Sequence, residues 1–186
     1  MIDLNNKQWH RDSSHSKFLI STQKALLDHS FINTAFATKE MFWAKPLNSE
    51  DLSLMLDNSV TAAIYEITPS IHPATSIDEP STPREGSPAL EAQQMYKQIG
   101  MARLMTDHVT FAYLSDVYIA PEHRGLGLAK WLIGCIKELV GMHPALRRLM
   151  LFTGEEKLQA FYERELGVYV MAERESTIVM SSNHFS

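Results

Sequence analysis

One cysteine, Cys135, stands in a chain of 186 residues. That excludes an internal disulfide and any zinc site built from several thiolates. Cys135 falls in an apolar helical stretch, so it reads as a buried thiol rather than a nucleophile. No apolar run approaches the roughly 18 residues that a membrane span needs. The start, Met1-Ile-Asp-Leu-Asn-Asn-Lys, is too polar for a secretory leader. The expectation is a cytoplasmic protein without membrane attachment, of a size that does not bar it from a nucleus. A basic excess is also missing: the formal charge of −5 speaks against a nucleic-acid partner. No cluster of His, Asp and Glu has ligand spacing, so no metal is expected. Proline is scarce outside residues 68–94, which hold five of the eight prolines.

What remains is an ordinary globular composition, 45% hydrophobic and 21% charged. The length suits one domain with a sizeable core. Residues 1–16 read as a polar arm, 17–180 as the domain, 68–94 as a surface insertion between two strands, and 181–186 as a tail. Lys17-Phe-Leu-Ile-Ser predicts a strand. Thr22 is placed to cap a helix with apolar residues at 26, 27, 31, 32, 35 and 36. After the aromatic loop Phe42-Trp43-Ala-Lys-Pro46, Asn48 or Ser49 can cap a second helix carrying Leu52, Met55 and Leu56. Strands are expected at 61–67, 98–106 and 109–120, the last two joined at Asp107-His108 as a hairpin.

An apolar helix over 126–140 ends at Gly141, and a buried strand follows at 147–153. Thr153-Gly-Glu-Glu156 has the pattern of a capping box for a helix ending at Gly167. Strands at 168–171 and 177–180 complete the order β-α-α-β-β-β-α-β-α-β-β. This is a mixed α/β (α+β) fold: a largely antiparallel sheet of six to seven strands with about four helices.

The informative segment is Asp116-Val-Tyr-Ile-Ala-Pro-Glu-His-Arg-Gly-Leu-Gly-Leu-Ala-Lys-Trp-Leu. A β-branched strand runs through a glycine turn directly into an apolar helix. Backbone N–H groups at the positive end of a helix form an anion site, and Gly125 and Gly127 allow close approach to the main chain. A nucleotide P-loop requires Gly-x-x-x-x-Gly-Lys-Ser/Thr, which does not occur. The dinucleotide fingerprint requires glycine where Lys130 stands, within an early βαβ unit.

The pattern that remains, Arg124-Gly-Leu-Gly127-Leu-Ala129, resembles the acyl-CoA pyrophosphate loop of the GCN5-related N-acetyltransferase (GNAT) family. The resemblance covers roughly residues 17–180 outside the insertion. Two stretches are similar to a group of small bacterial-type acetyltransferases: Trp43-Ala-Lys, and Ala102-Arg-Leu-Met-Thr-Asp-His-Val-Thr-Phe-Ala-Tyr-Leu-Ser-Asp-Val-Tyr-Ile. It implies the GNAT acyl-CoA N-acyltransferase fold and acetyl-CoA as donor. It also implies pyrophosphate binding by the backbone of Gly125, Leu126, Gly127, Leu128 and Ala129, with Arg124 as a further contact, and a pantetheine arm along Val117, Tyr118 and Ile119. Thr153-Gly154 stand where the family often has an asparagine.

The resemblance assigns Tyr162, in Ala160-Phe-Tyr-Glu-Arg-Glu-Leu-Gly167, to the departing thiolate. A core aromatic is the other reading of Tyr162. Acceptor contacts are expected from Phe42, Trp43, Tyr113 and Ser115, with packing as the alternative for the first two. For the base, Tyr113 and Ser115 share the strand face on which family bases tend to lie. Asp116 is chemically better suited, but strand parity turns it away unless a bulge re-aims it. Water-mediated deprotonation stays open, as does a hydrogen-bonding role for Asp116. His108 and His123 read as solvated turn residues. The expected activity is acetyl transfer to a primary amine of a small or amino-acid-like acceptor, by a monomer or homodimer. The alternatives are acetylation of a protein lysine or N-terminus, and a non-catalytic CoA sensor or partner-binding module.

Overall fold

Short stretches rich in apolar residues supply six strands, which pair in chain order into one sheet. The computed structural model describes residues 3–13, 16–69 and 94–174. The strands are β1 Gln8–Asp12, β2 Lys17–Ser21, β3 Val60–Pro69, β4 Gln94–Thr106, β5 Phe111–Ile119 and β6 Arg148–Leu151. Every neighbouring pair is antiparallel except β5 with β6, which is parallel. The helices are α1 His29–Phe36, α2 Ser49–Asp57, α3 Leu128–Gly141, α4 Glu156–Leu166 and the one-turn α5 Met171–Arg174.

Two layers of side chains cover the sheet. On one face Ile20, Val60, Ala62, Ile64, Leu104 and Leu114 pack under α3, whose Leu132, Ile133, Ile136 and Leu139 are fully buried. On the other, Met101, Tyr118 and Ala120 pack under Ile32 and Phe36 of α1 and Leu52 and Leu56 of α2. Cys135 is on the buried face of α3, and burial, aided by the nearby Glu138 charge, pushes its thiol up to about 12. It is a packing residue with no thiolate at neutral pH.

Several boundaries differ from the sequence reading, each for a local reason. Residues 8–12, read as part of the polar arm, form β1: Gln8–Asp12 pairs along Lys17–Ser21, and Trp9 packs on the α3 core. Thr22 does not cap the first helix. Its hydroxyl accepts from the Lys7 N–H at 2.9 Å, while Asp28 caps α1 by accepting from the Ser30 and Phe31 N–H groups. Asn48 does cap α2, accepting from the Asp51 N–H.

Thr153 makes no capping box, because α4 begins only at Glu156 and has no side-chain cap. Gly167 does end it, at φ 75°. Residues 168–170 do not continue the sheet, and 171 opens α5 instead. Most of the 68–94 insertion, the 177–180 strand and the 181–186 tail lie outside the described residues.

Gly100 sits where β4 crosses β5 opposite Ile119. A Cβ there would stand 2.7 Å from Ile119 Cδ1 and 2.9 Å from the Tyr118 carbonyl oxygen. Because one of these contacts is backbone, Gly100→Ala is expected to destabilise the protein by about 1–3 kcal/mol. Urea unfolding checks it: the midpoint falls at unchanged slope, whereas an unchanged midpoint would mean the two strands part freely.

Candidate active site

β5 carries an extra residue. Met101 pairs with Tyr118 and Arg103 with Ser115, so Ala102 faces two residues, Asp116 and Val117. Asp116 absorbs the bulge at φ 53°, in the left-handed region. The bulge overturns the simple alternation expected along this strand. Ala112 and Leu114 pack on the α3 side, and so do Val117 and Ile119; Tyr118 packs on the α1–α2 side. Asp116 is re-aimed onto the α1–α2 face, beside Ser115, by the bulge that the sequence reading named as its condition.

Asp116 is only 4% exposed and its oxygens are in use. Arg103 Nε donates to Oδ2 at 2.6 Å. Trp43 Nε1 and Ser115 Oγ both donate to Oδ1 at 3.1 Å. The carboxylate thus ties the aromatic loop before α2 to β4 and β5. Tyr113 lies in the same cluster: burial raises its phenol above the usual value and the Asp116 charge raises it further, so it is protonated at neutral pH. Its ring meets Phe152 at 5.6 Å, and Phe42 meets Trp43 edge-on at 5.1 Å. Phe42, Trp43 and Phe152 are all exposed. The four predicted acceptor residues therefore include three joined through or beside Asp116, with Phe42 held by its contact with Trp43.

On the other side of β5 the sheet opens. The β5–β6 register ends at Leu114 opposite Leu151, while β5 runs on to Ile119. Beyond it a short 3-10 turn, Pro121–His123, leads into Arg124–Gly127. Gly125 and Gly127 have φ of 82° and 70°, conformations that disfavour any side chain. α3 follows at once, and no side chain caps its first N–H groups. Those uncapped donors point out of an exposed turn.

Arg124, expected as a further contact to the pyrophosphate, is engaged within the protein. Its Nε donates to the Ile119 carbonyl at 2.9 Å, and its two terminal nitrogens hold Glu40 at 3.0 and 2.6 Å. A residue outside the sequence reading takes the open position: Arg11 of β1 donates to the Gly127 carbonyl at 3.3 Å and lies over Trp131. The only sequence signal was its alternation with Trp9, in a stretch read as a polar arm.

Tyr162 is buried on the α3 side against Phe161, and burial raises its phenol above the usual value. Its hydroxyl has no hydrogen bond to the described residues. His123 is buried rather than solvated, with Nε2 3.5 Å from Glu66. His108 stays at its exposed turn, at φ 61°.

A bulged central strand, a parallel neighbour that parts from it, and a glycine turn into an uncapped helix match the arrangement that the resemblance implies. The comparisons agree. The family model described as acetyltransferase (GNAT) family matches residues 59–168. A Gibberella zeae protein named "Putative acetyltransferase FG08082" is 34% identical over 158 residues, 84% of this chain and 81% of its own length. A GNAT-family structure from Xanthomonas campestris shares 25% identity at TM-score 0.55, covering 88% of this chain and 93% of that one. A GNAT-family acetyltransferase from Streptococcus pneumoniae matches in fold, at 18% identity and TM-score 0.54, over 90% of this chain and 99% of that one. The chain belongs to the acetyltransferase (GNAT) family and is an acetyltransferase enzyme, built on that family's fold.

The two ion pairs at the site differ in environment. Asp116 and Arg103 are 4% and 13% exposed, Glu40 and Arg124 57% and 43%. Asp116→Asn leaves a desolvated guanidinium without its counter-charge and is expected to cost about 3 kcal/mol. Glu40→Gln is expected to cost under about 1 kcal/mol. Paired denaturation curves check the ranking; equal losses would show that Arg103 finds another partner.

Proposed function

We propose that this enzyme transfers the acetyl group of acetyl-CoA to a primary amine of a small, amino-acid-like acceptor. The observation that carries the reading is the alignment of two openings: β5 parts from β6 after Leu114, and the unpaired stretch leads straight into the uncapped N-terminus of α3. An extended thiol arm needs free main-chain groups, and a pyrophosphate needs convergent N–H donors; both lie on one continuous path.

The residues present fit such a donor. Val117, Tyr118 and Ile119 offer the strand edge. Gly125, Leu126, Gly127, Leu128 and Ala129 offer backbone donors, with space kept by the two left-handed glycines. Arg11 adds a side-chain cation at the same turn. Arg124 acts at one remove, bracing the turn against Ile119 and Glu40. When bound, acetyl-CoA supplies the activated acyl group, and everything else is done by the chain.

Tyr162, kept protonated by burial, is suited to give a proton to the departing sulfur. The backbone near Ile119 is suited to polarise the thioester carbonyl. Neither Tyr113 nor the saturated Asp116 is a convincing base. Asp116 is best read as the residue that positions Trp43 and Ser115, with the acceptor ammonium losing its proton to water. Protein lysines or N-termini remain the nearest alternative acceptors.

Gly127→Val adds a branch beside the Arg11 guanidinium, whose nitrogens lie 3.7 Å from a Cβ at this position. It is expected to lower acetyl-CoA affinity at least tenfold, measured by calorimetry. The left-handed φ adds about 1–2 kcal/mol of strain, so a folding control is needed. Unchanged affinity in a folded variant would move the donor elsewhere. Tyr162→Phe is expected to lower kcat about 10- to 100-fold with little change in donor affinity. Wild-type kcat would remove Tyr162 from the chemistry, and acetyl-CoA binding with no thiol release from any amine or peptide would leave the sensor reading.

A further inference from the structure

We propose that the acceptor carries a carboxylate, and that the two terminal nitrogens of Arg103 hold it. The inference rests on the acetyl-transfer reading above and narrows its substrate. Arg103 lies in the middle of the sheet, paired across β4 with Thr61 on one side and Ser115 on the other. Its side chain is only 13% exposed, so most of its hydration is gone. Of its five N–H donors, only the one on Nε is used, in the bond to Asp116. Nη1 and Nη2 donate to none of the described residues. Neither is among the buried side-chain atoms cut off from solvent without a partner, so both retain access to open space. A largely dehydrated guanidinium with its fork unfilled favours a planar, bidentate anion.

The surroundings choose the rest of the molecule. Asp116 spends both oxygens on Arg103, Trp43 and Ser115, so it offers little to an acceptor ammonium. The acceptor is then recognised by its negative end, and its amine stays uncompensated, which helps it lose a proton. Trp43 bonds to the same Asp116 that Arg103 bonds to, and Phe42 meets Trp43 edge-on. Tyr113 is close enough for both Asp116 and Arg103 to perturb its phenol, and it carries Phe152 on its ring. These exposed aromatics offer an apolar body a surface to cover. The fitting class is an amino acid with an apolar or aromatic side chain, acetylated on its amine.

The test is thiol release from acetyl-CoA with amino acids and their decarboxylated amines as matched pairs, phenylalanine against phenethylamine and tryptophan against tryptamine among them. The best amino acid is expected to exceed its amine at least tenfold in kcat/KM. Arg103→Lys keeps a charge beside Asp116 but loses the fork. It is expected to raise KM for that amino acid at least tenfold and to lower the acid-over-amine ratio of kcat/KM at least fivefold. Decarboxylated amines that serve as well as the acids overturn the inference, even if the variant fails to fold. Equal losses for acid and amine in the folded variant also overturn it, because Arg103 is then structural. If acetyl-CoA binds but no amine releases thiol, the transfer reading fails first. The inference is then decided by binding of N-acetylphenylalanine against N-acetylphenethylamine to the CoA complex. At least tenfold tighter binding of the acid supports it, and equal affinity overturns it.

Discussion

The site depends on a mismatch of one residue between two paired strands. β4 gives Ala102 where β5 gives Asp116 and Val117, and the sheet accommodates the surplus by putting Asp116 into a left-handed conformation. This exchanges the faces of every later residue on β5. Val117 and Ile119 join the α3 core, Tyr118 joins the α1–α2 core, and the Asp116 carboxylate arrives under the aromatic loop. A left-handed non-glycine residue costs about 1–2 kcal/mol, and three hydrogen bonds to its carboxylate, one of them from a cation, offset that cost. Backbone strain and the centre of the candidate site's hydrogen-bond cluster thus occupy the same residue, a common arrangement where a fixed geometry must be held.

The glycine turn and the helix that follows it were legible in the sequence because their physics is local. Gly125, Gly127 and the apolar face beginning at Leu128 lie within a few residues of one another, and their order dictates a turn with a positive helix end. The hairpin at Asp107 was legible for the same reason: its carboxylate accepts from the N–H groups of Val109, Thr110 and Phe111. Arg103 gave no such signal. A cation alternating within a strand reads as a solvated face, and only the β4–β5 register brings it to Asp116, 13 residues on.

The errors share a cause: each took a local pattern where a distant contact prevailed. Thr22 has a capping side chain, but Lys7 takes it from across the sheet edge. Thr153 and Glu156 have capping spacing, but the chain is still leaving β6 there. His123 stands in a turn, yet packs toward Glu66 of β3. Even the bulge could be named as a possibility but not located, since nothing in 115–118 alone says which residue lacks a partner.

β1 touches α3 near both of its ends. Trp9 donates to Glu138 at 2.7 Å and Arg11 to the Gly127 carbonyl at 3.3 Å. The strand therefore works as a splint laid along a helix more than a hundred residues away in sequence, outside the stretch that the family model matches. On the donor-loop reading proposed above, occupancy of the turn at Gly127 and docking of β1 are linked equilibria, each favouring the other by the same free energy. On that reading β1 is a thermodynamic partner of the turn, although it holds none of the glycine-loop residues.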